Sequence, residues 1–156
     1  MSAIKRLQRE YMAIQKEPLE NILIKPSVDN ILEWYFVIHG SPSTPYEGGY
    51  YAGKIVFPPE YPMRAPDFIM LSDNGRFEVG KKICLSFSGY HQETWNPIWT
   101  ISSMMRGLVS FMYTEDVTVG AIKTSDEEKK AIAKDSKRRV LEISKIATLF
   151  AEELGS

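Results

Sequence analysis

The fold is decided by residues 31–57, which read ILEWYFVIHGSPSTPYEGGYYAGKIVF. Residues 31–38 and 50–57 are rich in aromatic and β-branched side chains, which favour extended strands. Between them, residues 40–45 contain the glycine, proline and serine typical of a turn. Two strands joined by a short connection without a helix pair antiparallel. This stretch therefore predicts the centre of an antiparallel meander.

Shorter strand candidates extend this meander on both sides. Residues 21–25 are apolar, and residues 67–71 form a fourth short strand after a proline-rich segment. No internal repeat, low-complexity tract or linker interrupts the chain. We therefore expect one domain over residues 1–156, with a four-stranded antiparallel sheet.

Helices are predicted before and after the sheet. Ser2 can cap an N-terminal helix that runs to about Gln15, and helical spacing returns at Ile101. Thr124 or Ser125 precedes an acidic first turn, which predicts the first of two C-terminal helices. The last helix is expected to carry an apolar stripe of Val140, Ile143, Ala147 and Phe150. The fold class is therefore α+β.

Composition excludes several function classes. The chain is 44% hydrophobic and 25% charged, as in ordinary globular domains, and its net charge of −1 gives no field that attracts nucleic acid. Residues 1–20 are charged and amphipathic rather than an apolar signal segment. Cys84 is the only cysteine, and with His39 and His91 it does not give metal-ligand spacing. We expect no metal and no cofactor.

Cys84 lies within residues 72–99, a mixed stretch without sustained periodicity. A long irregular segment inside a compact domain usually carries function. A lone cysteine is either a buried filler or a reactive thiol. Its position in this stretch, rather than in an apolar periodic segment, favours the reactive thiol.

Three motifs follow one another along the chain: FPPEYPMRAP at 57–66, ICL at 83–85 and WNP at 95–97. In this order, and after a basic helix, they resemble the ubiquitin-conjugating enzymes over nearly the whole chain. NGRF at 74–77 and SGYHQETWNP at 88–97 are similar to the tail-anchored branch of endoplasmic-reticulum-associated degradation. The resemblance implies a UBC-like fold with a long active-site loop.

The chain departs from this family around the cysteine. Most members carry His-Pro-Asn with the asparagine eight residues before the cysteine, whereas Arg76 stands there in this chain. The nearest asparagine, Asn74, lies ten residues before Cys84 and is not preceded by His-Pro. The spacing from Cys84 to Trp95 is also about three residues longer than is usual in the family.

The resemblance implies acyl transfer through a ubiquitin thioester on Cys84. Asn74 is the candidate amide donor for the oxyanion, or else the corner of an Asn-Gly turn. His91 can orient or deprotonate the incoming nucleophile, or be a surface histidine without a role. Asp126 corresponds to an acidic residue that positions the acceptor lysine in the family, and it equally suits a plain helix start.

Three partners follow from the resemblance: ubiquitin, its activating enzyme and a ligase of the RING type. The basic residues of the first helix match the surface that meets the activating enzyme, or form a solvated face: Lys5, Arg6 and Arg9. Met63, Pro97 and Ile98 match the two loops that contact the ligase. The alternative for Met63 and Ile98 is packing within their own proline-rich loops. The resemblance also implies a cis Tyr61–Pro62 peptide bond.

Three other functions are alternatives for a chain with this sequence. A cysteine hydrolase needs a histidine that activates Cys84 and a partner that orients the histidine, and no such motif is evident. An inactive ubiquitin-binding variant of the fold would lack Cys84. A conjugating enzyme for another ubiquitin-like modifier is the remaining alternative. We expect the protein to be a monomer that binds no nucleic acid. If the full-length protein carries a membrane tail beyond this chain, we expect it at the cytosolic face of the endoplasmic reticulum. Otherwise we expect it in the cytoplasm.

Overall fold

The computed structural model describes residues 2–155 and has the predicted α+β architecture. Its elements, in chain order, are α1 (Ala3–Lys16), β1 (Ile22–Pro26), β2 (Glu33–His39), β3 (Tyr50–Val56), β4 (Asp67–Met70), a 3-10 helix (Gly89–Thr94), α2 (Ile101–Met112), α3 (Asp126–Leu141), α4 (Ser144–Leu149) and α5 (Ala151–Leu154). The four strands form one antiparallel sheet in the order β1-β2-β3-β4. The predicted meander is therefore confirmed.

Strand β2 is buried on both faces of the sheet. Trp34 and Phe36 pack into the core formed with α1 and α2, whereas Tyr35 and Val37 face a second core formed by the C-terminal helices. A strand with two covered faces needs apolar residues at every position. This explains why residues 34–38 read as a continuous apolar run rather than an alternating one.

The helix starts follow the predicted caps. Ser2 accepts a hydrogen bond from the Lys5 backbone N–H, and Ser125 rather than Thr124 caps α3. Ser125 forms a capping box with Glu128, in which each side chain bonds the other residue's backbone N–H. Thr124 instead donates a hydrogen bond to the Gly75 carbonyl, which ties α3 to the segment before Cys84.

The C-terminal helices differ from the prediction. Three helices follow α2 instead of two, because the chain leaves helical geometry at Ile143 (φ −84°, ψ 112°) and again at Phe150. Helical spacing does not continue across such a break. Ile146 is therefore the buried residue of α4, and Ala147, which the predicted stripe included, is only half-buried.

The loops around the sheet agree with the remaining expectations. The Tyr61–Pro62 peptide bond is cis, as predicted. Residues 72–99 contain no α-helix or named strand, and isolated bridges join Lys82 to Ile69 and Val79 to Met70 of β4. The segment before Cys84 therefore follows the edge of the sheet. Within residues 2–155, no helix has both the length and the apolar character to cross a bilayer.

Candidate active site

Cys84 is held between the sheet edge and the loop that follows α2. Its neighbours Ile83 and Leu85 are buried, and the Ile83 backbone N–H donates to the Phe68 carbonyl of β4 at 3.0 Å. The Cys84 backbone N–H donates to the Val119 carbonyl at 2.9 Å, and the Cys84 carbonyl accepts from Thr118 Oγ1 at 2.7 Å. The backbone is thus fixed on both sides, while the side chain remains half-exposed.

His91 lies directly against this thiol. Its Nε2 is 2.9 Å from Cys84 Sγ, and its Nδ1 is 2.9 Å from Glu93 Oε1. An ionised carboxylate only accepts hydrogen bonds, so Nδ1 carries a proton, and in the neutral imidazole Nε2 then presents a lone pair to the thiol. The hydrogen bond from His91 lowers the pKa of the Glu93 carboxyl. The structure therefore brings His91 to Cys84, and its role in catalysis stays a prediction.

Glu93 is a site residue that the sequence analysis missed. The 3-10 helix Gly89–Thr94 places it two residues after His91, and its side chain is 70% exposed. The spacing of histidine and carboxylate at i and i+2 within an irregular loop was the available signal. His91 and Glu93 together form the histidine and orienting partner that a cysteine hydrolase needs. No motif in the sequence had indicated this pair.

An open groove of about 630 Å³ runs beside Cys84, and we call it the Cys84 groove. Side chains from four segments line it, including Phe87, His91, Phe111, Val117 and Thr118. Among the described residues that line it, Cys84 and His91 are the only ionisable ones. The groove can therefore admit an extended chain next to the thiol, with the imidazole as its proton acceptor.

Asn74 is buried in a turn of its own. It is 1% exposed, and its Oδ1 accepts hydrogen bonds from the backbone N–H groups of Arg76 and Phe77. Its Nδ2 donates to the Ser72 carbonyl at 2.9 Å, and Gly75 takes the left-handed conformation (φ +77°). This geometry fits the Asn-Gly turn that the sequence also offered. A catalytic donor role for Asn74 stays a prediction.

The structural role of Arg76 is a second feature that the sequence analysis missed. Arg76 is 5% exposed, and its guanidinium donates to the carbonyls of Phe111 and Met112 at the end of α2 and to the Asp116 carbonyl at 2.7 Å. Its carbonyl accepts from the Ile122 backbone N–H. Arg76 therefore joins the Asn74 turn to the loop that holds Cys84.

The structure does not bring Asp126 to the groove. Asp126 is the first residue of α3 and lines neighbouring cavities with Lys130 and with Arg76. The two lysines before Cys84 are each paired with a carboxylate, Lys81 with Glu78 and Lys82 with Asp67. The part of the chain that the structure covers contains no cluster of three or more groups suited to a metal ion.

The basic residues of α1 fall into two classes. Lys5 and Arg9 are exposed. Arg6 is only 17% exposed, pairs with Glu10 at 2.9 Å and donates to the Trp99 carbonyl at 3.0 Å. Arg6 therefore does not lie on a solvated face, because its guanidinium is occupied within the fold, and its contact with an activating enzyme stays a prediction.

Glu10 lies at the centre of this buried network. Its carboxylate also accepts hydrogen bonds from Tyr61 Oη at 2.6 Å and from the Ile101 backbone N–H at 2.6 Å. Burial, followed by the Glu10 charge, raises the pKa of Tyr61, so the phenol stays protonated and donates. A buried carboxylate needs such a set of donors to offset its lost hydration. One side chain thereby connects α1, the 57–66 loop and the start of α2.

Two apolar tips stand on adjacent loops. Met63 is 70% exposed and Ile98 is 77% exposed, whereas Pro97 is half-buried. The Trp95 indole N–H donates to the Pro62 carbonyl at 2.8 Å, which joins the two loops. Internal packing, the alternative for Met63 and Ile98, does not account for this exposure. Together they form a small apolar patch of the kind found at interfaces.

Comparison with known proteins agrees with this geometry. The sequence profile of the ubiquitin-conjugating enzyme family matches residues 6–141. The chain is 46% identical to ubiquitin-conjugating enzyme E2 6 of Schizosaccharomyces pombe over 151 residues, which cover 96% of this chain and 66% of the relative. It is 42% identical to ubiquitin-conjugating enzyme E2 J2 of Homo sapiens, covering 97% of this chain and 58% of the relative.

The solved structure of human ubiquitin-conjugating enzyme E2 G1 has the same fold, with a TM-score of 0.61 and 26% identity over 68% of this chain and 90% of that one. The chain thus spans about three fifths to two thirds of the length of the two relatives named above. The profile match covers most of the chain and includes Cys84, His91 and both apolar loops. The chain belongs to the ubiquitin-conjugating enzyme family.

Proposed function

We propose that this domain accepts ubiquitin from an activating enzyme as a thioester on Cys84 and passes it to an amine with the help of a ligase. The observation that carries the proposal is the half-exposed Cys84 thiol, 2.9 Å from His91 Nε2 at the edge of an open groove, in a member of this family. Sulfur suits both steps because a thiolate is a strong nucleophile and a good leaving group.

In the charging step, His91 Nε2 accepts the thiol proton of Cys84. The thiolate then attacks the carbonyl carbon of the ubiquitin thioester on the activating enzyme, whose cysteine leaves as a thiolate and takes up the proton from His91 Nε2, so that His91 is neutral again before the transfer step. The Glu93 carboxylate stabilises the imidazolium that forms, because it accepts the Nδ1 hydrogen bond.

In the transfer step, the lone pair of an acceptor amine attacks the carbonyl carbon of the Cys84 thioester. The new C–N bond forms as the C–S bond breaks, Cys84 leaves as a thiolate, and the amine's proton passes to His91 Nε2. A general base in this position typically contributes about 10²–10⁴-fold to the rate.

The oxyanion of the tetrahedral intermediate needs hydrogen-bond donors. We propose that Asn74 acts indirectly, by bracing the turn that carries Arg76, because its amide is engaged there. The backbone N–H groups of Ser86 and Phe87 lie two and three residues after Cys84 and have no hydrogen-bond acceptor among residues 2–155. They are the donors we propose for the oxyanion.

The partner surfaces follow from exposure. We propose that the exposed basic residues Lys5 and Arg9 meet the activating enzyme, and that Met63, Ile98 and the half-buried Pro97 meet a ligase of the RING type. The domain acts as a monomer. If the full-length protein carries a membrane tail, as the resemblance to the tail-anchored branch implies, the domain faces the cytosol at the endoplasmic reticulum. Reading the full-length gene product for an apolar segment tests this location.

The test of the proposed function is a charging assay. The domain is incubated with activating enzyme, ATP and either ubiquitin or another ubiquitin-like modifier, and is run on gels with and without reductant. We expect an adduct with ubiquitin that reductant removes. An adduct with another modifier alone would assign that modifier instead, and no adduct at all would indicate an inactive variant of the fold.

Cys84→Ser provides the matched control for this assay. Serine has nearly the same shape, but its hydroxyl is a weak nucleophile and an ester is a poorer acyl donor than a thioester. We expect this variant to form no reductant-labile adduct, although an oxyester that resists reductant can accumulate. A labile adduct on Cys84→Ser would contradict the proposal.

A further inference from the structure

The loop after α2, residues 114–122, is fastened to the segment around Cys84 along its whole length. Arg76 Nη2 donates to the Asp116 carbonyl, Thr118 Oγ1 donates to the Cys84 carbonyl, and the Val119 carbonyl accepts from the Cys84 N–H. A bridge also pairs Ala121 with Phe77. This 114–122 loop therefore keeps a defined position beside the nucleophile.

Gly120 shows how closely the 114–122 loop approaches the segment before Cys84. Its φ is +92°, and a Cβ placed on it would lie 2.7 Å from the Lys82 carbonyl oxygen. Only glycine satisfies both the left-handed backbone and this contact. Gly120 therefore allows the 114–122 loop to lie against the backbone of Lys82, close to Cys84.

The 114–122 loop nevertheless presents apolar side chains to water. Val117 is 89% exposed and Val119 is 58% exposed. Val117 lines the Cys84 groove together with Cys84 and His91. An exposed valine on a firmly held loop, beside a reacting atom, is a contact surface for whatever reacts there.

The distribution of charge around the Cys84 groove limits which acceptor segments can bind there. The described residues that line it include no lysine, arginine, aspartate or glutamate. The exposed residues Glu93, Glu115 and Asp116 are the sequence neighbours of its lining residues Thr94, Thr114 and Val117, and we refer to these three carboxylates as its rim. A charged side chain next to the acceptor lysine would lose hydration in the groove without gaining a partner, and an acidic one would also be repelled by the rim. An apolar side chain would be buried against Val117 and Phe111.

We propose that Val117 determines acceptor specificity, and that the domain prefers acceptor lysines whose neighbouring residues are apolar. The proposal rests on the transfer function given above, since the acceptor amine must reach both the thioester and His91 Nε2. The side chains on either side of the acceptor lysine then lie along the remaining walls of the Cys84 groove, where Val117 is the most exposed apolar residue.

The experiment measures single-turnover discharge of the ubiquitin-charged domain after the activating enzyme is quenched. The acceptors are three short peptides, each with one lysine flanked by leucine, by serine or by glutamate. We expect the leucine-flanked peptide to react about fivefold faster than the serine-flanked one, and the glutamate-flanked peptide to be the slowest. Equal rates for the leucine-flanked and serine-flanked peptides would overturn the proposal.

Two variants test whether Val117 causes the preference for apolar residues beside the acceptor lysine. V117S should bring the leucine-to-serine ratio close to one, and V117L should keep it. V28S is the matched control, because Val28 is 87% exposed in the distant turn between β1 and β2, and its ratio should equal that of the unmodified domain. If V117S slows discharge to every acceptor by one common factor, Val117 contacts the donor ubiquitin and the proposal fails. Failure to charge at all would instead contradict the proposed function.

Discussion

At the scale of single residues, the proposed mechanism assigns proton transfer to His91, whose Nε2 lies 2.9 Å from Cys84 Sγ. His91→Gln keeps a polar side chain but cannot take up a proton, so we expect discharge to free lysine to slow by about 10²-fold or more. Glu93→Gln leaves the imidazole in place and removes only the carboxylate, so a smaller loss is expected. Single-turnover discharge measures both, and equal rates for His91→Gln and the unmodified domain would exclude a base role.

Asn74 is tested by two substitutions that separate a brace from an oxyanion donor. Asn74→Ala leaves the buried N–H groups of Arg76 and Phe77 unpaired, which costs about 1–3 kcal/mol of stability. Asn74→Asp keeps an acceptor for both groups. A brace predicts that Asp preserves more stability and more discharge than Ala. An oxyanion donor predicts the reverse order for discharge, because a carboxylate repels the developing charge.

At the scale of elements, Arg76 connects the turn before Cys84 to the end of α2 and to the 114–122 loop. Arg76→Lys keeps the positive charge but loses the planar fork that reaches several carbonyls at once. We expect the free energy of unfolding to fall by about 2–3 kcal/mol. We also expect the KM for a peptide acceptor to rise, because the wall of the groove loosens.

The control for Arg76 is Arg106→Lys, at an exposed position of α2. It should change neither thermal unfolding nor acceptor KM. A variant at Arg76 that lowered stability but left both KM and kcat for discharge unaltered would show that the residue is structural only.

At the scale of the whole molecule, the Glu10 network holds α1 and the two apolar loops in one arrangement. Met63 and Ile98 project from those loops, so Met63→Ala combined with Ile98→Ala should reduce ligase-stimulated discharge by about tenfold or more. Charging by the activating enzyme should be unaffected. Both reactions are followed on the same gels with and without ligase, and an equal loss in the two would indicate damage to the fold instead.

The sequence by itself determined the features that depend on neighbouring residues. Aromatic and β-branched side chains together with turn chemistry specified the meander of β2 and β3, and the Ser2 cap specified the start of α1. The family motifs specified Cys84 and the cis Tyr61–Pro62 bond. These signals are readable because strands, caps and motifs each occupy a few consecutive positions.

Only the tertiary structure decided which polar side chains meet. Arg76 lies 40 residues from its Asp116 partner, and Arg6 lies 93 residues from its Trp99 partner. The periodicity of neighbouring residues in the sequence does not indicate contacts between residues so far apart. They form because a buried charge must find donors or acceptors wherever the packed elements provide them. For this reason Arg6 looked like its exposed neighbours Lys5 and Arg9 in the sequence, and the Cys84–His91–Glu93 arrangement became visible only once the irregular loop was folded.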